Sequence, residues 1–171
     1  MVRTFVVALA LSMSACTLPA VLPEVNQEYK PTGEVLLGNR SSNFDAVRVR
    51  SPRCNLAKRT DGSWAGTFDT RPVDVNVYED RLSGIGIQLS KRVENGKIVI
   101  TGQVEGRIVR YELDDQRALI RTPAGSITLD GRVVGDGITT YGPRGELQLK
   151  GDAGKDVPPW PQFAFALLAA T

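Results

Sequence analysis

From Ser63 onward the chain consists of short runs in which apolar and polar residues alternate. In PVDVNVY (72–78) the three valines point one way while Asp74 and Asn76 point the other, and ELQLKG (146–151) repeats this period of two. A period of two is typical of a β-strand with one buried face. The pattern predicts strands at SWAGTFD, PVDVNVY, LSGIGIQL, KIVITGQV, RIVRYEL, ALIRT, SITLDGRV, GITTY and ELQLKG.

The segments between these runs are rich in turn-forming residues, and the chain has 17 Gly and 10 Pro. Asn95-Gly96 lies between two alternating runs and predicts a tight hairpin, because both residues tolerate positive φ. One or two more short strands are expected around Val35–Leu37 and Ala46–Arg50, with loops between them. No long helical period intervenes, so the sequence predicts an all-β fold, an antiparallel meander forming a small barrel or sandwich.

An apolar–x–Gly pattern recurs at strand ends in LSGIG (82–86), ITGQV (100–104), LDGRV (129–133) and LKGDA (149–153). Its spacing is too irregular for a solenoid repeat. We expect glycine at these places because strands bulge or approach one another closely there.

The N-terminus has a different pattern. Arg3 precedes an apolar stretch, Thr4 to Met13, that is too short to span a membrane and has the length of a signal-peptide core. The sequence Met13-Ser14-Ala15-Cys16 follows, and it resembles the bacterial lipobox, with Met13 where Leu is usual.

That resemblance implies a signal peptide at 1–15 and lipidation of Cys16, with diacylglycerol on its sulfur and an acyl chain such as palmitate on its amine. Thr17 at the next position implies the outer membrane, with the domain in the periplasm. The alternative is a secreted protein with a chance cysteine near its start. If Cys16 is lipidated, Cys54 is the remaining thiol, and we expect it to be a partly buried hydrophobic residue.

Residues 16–33 contain three prolines and no sustained period, which predicts an extended tether. The β-domain is expected at 34–157. The last segment, 158–171, is proline-rich and then apolar, and its spacing suits a strand or a short helix equally well. We expect it to pack over the barrel mouth or join the sheet, with an exposed apolar patch as the alternative.

The candidate chemistry is sparse. The sequence has no His, so neither a Ser-His-Asp triad nor the commonest metal ligand is present. The acidic pairs Glu79-Asp80 and Asp114-Asp115 fall at predicted turns, where Asp is favoured for backbone reasons. We therefore expect no enzyme, no catalytic residue, no metal site and no cofactor.

The net charge of +2 gives no field that would attract nucleic acid. The densest basic cluster is interpreted as a solvated loop, with contact to an anionic surface such as lipid A or peptidoglycan as the alternative: Arg48, Arg50, Arg53, Lys58 and Arg59.

Gly62-Ser63-Trp64 is similar to the Gly-x-Trp at the first strand of lipocalin-like and avidin-like barrels. In those barrels the Trp closes one end and often stacks under an Arg, for which Arg144 is the nearest candidate here. A fainter resemblance, in LDGRVVGD and ELQLKGDA, is to the periplasmic β-jellyrolls of lipopolysaccharide transport.

Together these patterns predict a lipid-anchored envelope lipoprotein with a structural or protein-binding role and a membrane contact through its anchor. This interpretation includes a partner protein of the envelope. The alternative is a carrier of a small apolar ligand or lipid, whose binding residues the sequence does not identify.

Overall fold

The computed structural model describes residues 20–114, 117–122, 125–134, 137–142 and 145–171, and within them the side chains of 117, 122, 125–134, 137–142 and 145 are left out. The strands in this part of the chain form one antiparallel meander. Their bounds are β1 Gly33–Leu37, β2 Arg40–Phe44, β3 Arg48–Arg50, β4 Cys54–Lys58, β5 Trp64–Phe68, β6 Arg71–Val77, β7 Arg81–Gly84, β8 Ile87–Glu94, β9 Lys97–Val104, β10 Arg107–Leu113, β11 Arg117–Thr122, β12 Gly125–Val134, β13 Gly137–Gly142 and β14 Gly145–Gly151.

Each strand pairs with the next, and β14 also pairs with β1, with Gly33 opposite Gly151 and Leu37 opposite Leu147. The hydrogen-bonded order therefore returns to its start and forms a closed barrel. The predicted all-β antiparallel meander is confirmed. The sequence left a barrel and a sandwich as alternatives, and the strand pairing forms a barrel.

The predicted elements differ from the observed ones at three places. LSGIGIQL, expected as one strand, is two strands, β7 and β8, joined at Ile85 and Gly86, where Gly86 has a φ of 76°. The two strands Arg40–Phe44 and Cys54–Lys58 were not predicted.

Asn95 and Gly96 have φ values of 52° and 77°, so the hairpin predicted from this pair is confirmed.

Glycine lies where neighbouring strands approach closely, as expected from the recurring pattern. A Cβ added at Gly102 would lie 1.9 Å from the carbonyl oxygen of Gln88, and one added at Gly84 would lie 2.1 Å from that of Asp74. No side chain fits at these distances, so glycine is required there for steric reasons.

The C-terminal segment forms a helix, α1 (Gln162–Ala170), and every one of its residues is buried. It packs mainly against β1 to β4, and the ring of Phe165 lies 5.8 Å from that of Trp64 on β5. The helix therefore lies inside the barrel. It neither covers the barrel mouth nor joins the sheet, although we expected one of the two. The spacing of its apolar residues suited a strand or a short helix, and the segment forms a helix.

We call the two ends of the barrel the Ala20 end and the Thr171 end, after a residue that lies at each. The Ala20 end carries the turns after β2, β4, β6 and β8, and α1 begins there, where Gln162 Nε2 donates a hydrogen bond to Ala46 O at 2.9 Å. The Thr171 end carries the turns after β1, β3, β5, β7 and β9. There Arg40 Nη1 donates to Thr171 O, and the Tyr111 and Thr171 hydroxyls share a hydrogen bond, both at 2.8 Å.

Residues preceding β1 lie against the Ala20 end. Thr60 N donates to Ala20 O at 2.9 Å and Leu22 N donates to Lys58 O at 3.2 Å. A short 3-10 helix, Pro23–Asn26, follows. This part of the segment predicted as a tether is thus hydrogen-bonded to the domain that it precedes.

Candidate functional site

The barrel has an apolar pocket of about 530 Å³ at the Ala20 end. This volume lies within the range of small-molecule sites, and barrel mouths are among the places where such sites occur. The described residues of its floor are buried, whereas its rim is exposed at Val93 and Val157, which are 54% and 65% exposed. The floor contains Ile98, Leu113, Leu149, Ala153 and Phe163.

The floor side chains point inward because of the strand period. Ile98 on β9 and Leu113 on β10 are paired across the two strands, and both are buried. Phe163 comes from the first turn of α1. The helix therefore closes the pocket from below, and the pocket is the space that α1 leaves unfilled at its own N-terminal end.

The polar groups of the pocket lie at its rim: Asn95, Asp114, Lys155 and Asp156. Lys155 Nζ lies 2.5 Å from Asp152 Oδ1, and this hydrogen bond holds the pKa of Asp152 below its ordinary value. Lys97 Nζ lies 4.0 Å from Asp114 Oδ2. An apolar floor with charged groups of both signs at the rim suits an amphiphile with its apolar part inside.

A smaller pocket of about 180 Å³ lies at the Thr171 end. Arg53 donates two hydrogen bonds to the carboxylate of Asp69 there, at 2.7 and 2.6 Å. Hydrogen bonding from Arg53 is the main cause that lowers the pKa of Asp69. Burial raises the pKa of Tyr111 in its wall to about 12. The charged pair at this pocket is already satisfied internally, which makes it the weaker candidate.

The N-terminal segment is held by a second polar cluster, which the sequence did not reveal. Arg48 is 5% exposed, and its guanidinium donates four hydrogen bonds. Nε donates to Asp45 Oδ2 at 2.8 Å, and Nη2 forms an ion pair with the same oxygen at 2.6 Å. The other three hydrogen bonds go to the backbone oxygens of Val25, Gln27 and Glu28. We call this set the Arg48 clamp.

The other predicted basic residues are also largely engaged. Arg53 pairs with Asp69 and Arg59 pairs with Asp74 at 2.8 Å. The guanidinium of Arg50 lies 4.8 Å from the centre of the Tyr29 ring. The cluster that we interpreted as a solvated loop therefore consists mostly of ion-paired and stacked side chains on β3, β4 and the turns beside them.

The remaining predicted residues are dispersed. Cys16, Asp115 and Arg144 lie outside the described residues. Cys54 is 2% exposed, and burial raises the pKa of its thiol to about 12, as expected for a hydrophobic cysteine. Trp64 faces into the barrel against α1.

Glu79 and Asp80 lie between β6 and β7, as expected of a turn. Of the second acidic pair, Asp114 follows β10 at the pocket rim, and Asp115 lies outside the described residues. Among the described residues, no group of three or more His, Cys, Asp or Glu side chains is arranged to hold a metal ion.

Comparison of the chain with protein-family models, with curated proteins and with solved structures gave no match. Within the described residues, no helix has the length and apolar character needed to cross a membrane.

Proposed function

We propose that the protein is a lipid-anchored lipoprotein of the bacterial cell envelope whose β-domain has a non-enzymatic binding role. The anchor is Cys16, at the end of the lipobox-like sequence Met13-Ser14-Ala15-Cys16. Two or more acyl chains give stable membrane attachment, whereas a single chain gives marginal attachment.

The observation that carries the binding role is the pocket at the Ala20 end. It combines a buried apolar floor with a rim of exposed apolar and charged side chains. Its rim carries three charged groups, Asp114, Lys155 and Asp156. The sequence contains no histidine. The arrangement is suited to binding an amphiphile, and the described residues that line it include no pair of nucleophile and neutral-pH base.

The lipid anchor is tested by the intact mass of the protein extracted from membranes, beside a Cys16→Ala variant. The expected result is the mass of a chain beginning at Cys16 with attached lipid, and loss of the variant from the membrane. A wild-type chain that carries no lipid mass and fractionates like the variant would overturn the anchor.

A second candidate function, carriage of a small apolar ligand or lipid, is favoured by the volume and floor of the same pocket. Its test uses the full-length Cys16→Ala chain in solution and a fluorescent fatty acid as the probe. Val157→Glu places a charge at the exposed rim, and we expect it to weaken probe binding at least fivefold. Val21→Glu is the matched control because Val21 is 49% exposed at the same end and does not line the pocket.

The carrier hypothesis is overturned if the probe fails to bind the Cys16→Ala chain, or if the two glutamate variants weaken binding equally. In either case the structural or protein-binding role remains as the interpretation of the domain. Crosslinking of the wild-type chain in intact envelopes then tests that role by the recovery of a discrete crosslinked partner.

A further inference from the structure

The Ala20 end of the barrel exposes several large apolar or amphipathic side chains. Val21, Tyr78, Val93 and Val157 are between 47% and 65% exposed there, and Trp160 lies partly exposed beside Tyr78. Trp160 Nε1 donates a hydrogen bond to Tyr78 O at 3.0 Å, and Lys91 Nζ lies 5.3 Å from the centre of the Trp160 ring. Trp and Tyr with nearby Lys and Arg are typical of the interfacial region of membranes.

The exposure of apolar side chains does not by itself distinguish the Ala20 end from the Thr171 end as a membrane-facing surface. The Thr171 end also exposes two isoleucines, Ile85 and Ile108, at 79% and 73%. These two have no exposed aromatic residue among the described residues beside them, and the chain preceding the barrel contacts the opposite end.

The chain preceding the barrel leaves from the Ala20 end at a fixed place. Val21 forms a β-bridge with Arg59, and the Arg48 clamp holds the backbone of Val25, Gln27 and Glu28 a few residues later. The clamped backbone cannot slide along the barrel without breaking its hydrogen bonds to the buried guanidinium of Arg48.

The distance from this place to the lipid is short. Cys16 and Ala20 are four positions apart in the chain, and four fully extended steps from residue to residue span at most about 14 Å. An eight-residue strand such as β9 is roughly 26 Å long. The anchor therefore cannot reach past the Ala20 end to bring the Thr171 end to the same membrane.

We propose that the Ala20 end lies on the bilayer surface, with Tyr78, Val93, Val157 and Trp160 in the interfacial region and the Thr171 end facing away. The inference rests on the proposed lipid anchor and adds an orientation to it. It also places the mouth of the 530 Å³ pocket against the membrane, so the ligand class that the pocket would receive is the acyl chain of a membrane lipid.

The contact is apolar more than electrostatic. Arg81 lies over the Tyr78 ring at 4.6 Å, and Glu79 and Asp80 occupy the same turn, so charges of both signs are present. A surface of mixed charge gains little from anionic lipids. We therefore expect the contact to persist on vesicles of zwitterionic phosphatidylcholine.

The two tryptophans of the chain supply the measurement. Trp64 is fully buried inside the barrel, whereas Trp160 lies at the proposed surface. The lipidated protein is reconstituted into phosphatidylcholine vesicles with and without lipids brominated near the headgroup, and its emission is compared with that of Trp160→Phe. A third form, W160F combined with I108W, places the reporter at the Thr171 end.

The expected result is that brominated lipid removes at least a quarter of the wild-type emission and less than one tenth of the emission of either variant. Vesicle flotation of the wild type beside Cys16→Ala is read in the same samples. Flotation without quenching of the wild type, or quenching of the I108W form, overturns the orientation and leaves the anchor standing. Loss of flotation overturns the proposed anchor itself, and the orientation with it.

Hydrogen exchange supplies a second measurement that needs no tryptophan variant. Between vesicle-bound wild type and free Cys16→Ala, we expect at least twofold slower exchange in 78–81 and 156–160, and unchanged exchange in 105–108. Equal change at both ends contradicts the orientation.

Discussion

The Arg48 clamp gives the sharpest prediction about how the segment before β1 is held. Replacing Arg48 with Met removes the guanidinium and leaves the carboxylate of Asp45 buried, since the Asp45 side chain is 10% exposed. Asp45 Oδ1 keeps its hydrogen bonds from the backbone N–H groups of Val47 and residue 48, but Oδ2 loses both of its partners.

The expected loss follows from this burial. Removing one partner of a buried ion pair destabilises a protein by about 3–5 kcal/mol, because the other charge is left uncompensated. Typical domains have a free energy of unfolding of about 5–15 kcal/mol, so we expect Arg48→Met to stay folded in water with a lower urea midpoint. Combining it with Asp45→Asn removes the orphaned charge, and we expect the double variant to recover part of the loss.

The matched control is Arg53→Met, because Arg53 forms an ion pair of the same length, 2.6 Å, with Asp69. The side chains of that pair are 34% and 40% exposed, and exposed pairs contribute about 0–1 kcal/mol. Urea denaturation measures both variants, and hydrogen exchange of residues 20–28 reports whether the segment is released. Equal losses of stability in the two arginine variants would contradict the effect of burial, and continued protection of residues 20–28 in Arg48→Met would contradict the role of the clamp.

Three other predictions concern single positions. The Cys54 thiol, buried and with a pKa raised to about 12, should react with a disulfide reagent at pH 8 only after denaturant is added; rapid reaction of the folded protein would contradict its burial. The hydrogen bond from Arg53 lowers the pKa of Asp69 below its ordinary 3.8, so its stabilisation is present above about pH 3.8 and is lost as the pH falls through the lower folded value. Asp69→Asn should therefore reduce the acid dependence of the urea midpoint, and an unchanged dependence would refute this. Gly102→Ala places a Cβ 1.9 Å from Gln88 O, and we expect a loss of roughly 1–3 kcal/mol by urea denaturation, with no loss as the contrary outcome.

Much of the sheet could be predicted from the alternation of apolar and polar residues. KIVITGQV and RIVRYEL are β9 and β10 with the predicted bounds, since both begin and end at clear turn residues. β2 was not predicted because RSSNF is polar, and its inward positions are Ser42 and Phe44. The turn at Ile85 was missed because an apolar turn residue left the alternation unbroken.

The candidate site could not be predicted, because it depends on contacts between distant segments. The pocket combines Leu113 of β10, Leu149 of β14 and Phe163 of α1, and no local pattern indicates that these meet. The clamp is similar, since its arginine binds backbone oxygens about twenty residues away, as at Glu28. Backbone acceptors carry no mark in the sequence.

The closed barrel explains why the last segment forms a helix and not a strand. Each strand, including β1 and β14, already has two neighbours, so the sheet offers no free edge to a further strand. A buried backbone must still satisfy its N–H and C=O groups, and inside the barrel only a helix does so within itself.

The position of α1 also limits what the barrel can bind. Its residues are all buried and fill the lumen along β1 to β4, so a ligand held in the central lumen, as in a lipocalin-like carrier, would have to displace the helix. Of the two pockets described above, the larger is the one at the Ala20 end, which Phe163 closes from below. A ligand that enters there must leave its polar part at the rim, beside Lys155 and Asp156, and this restricts the carrier hypothesis to amphiphiles presented at that end.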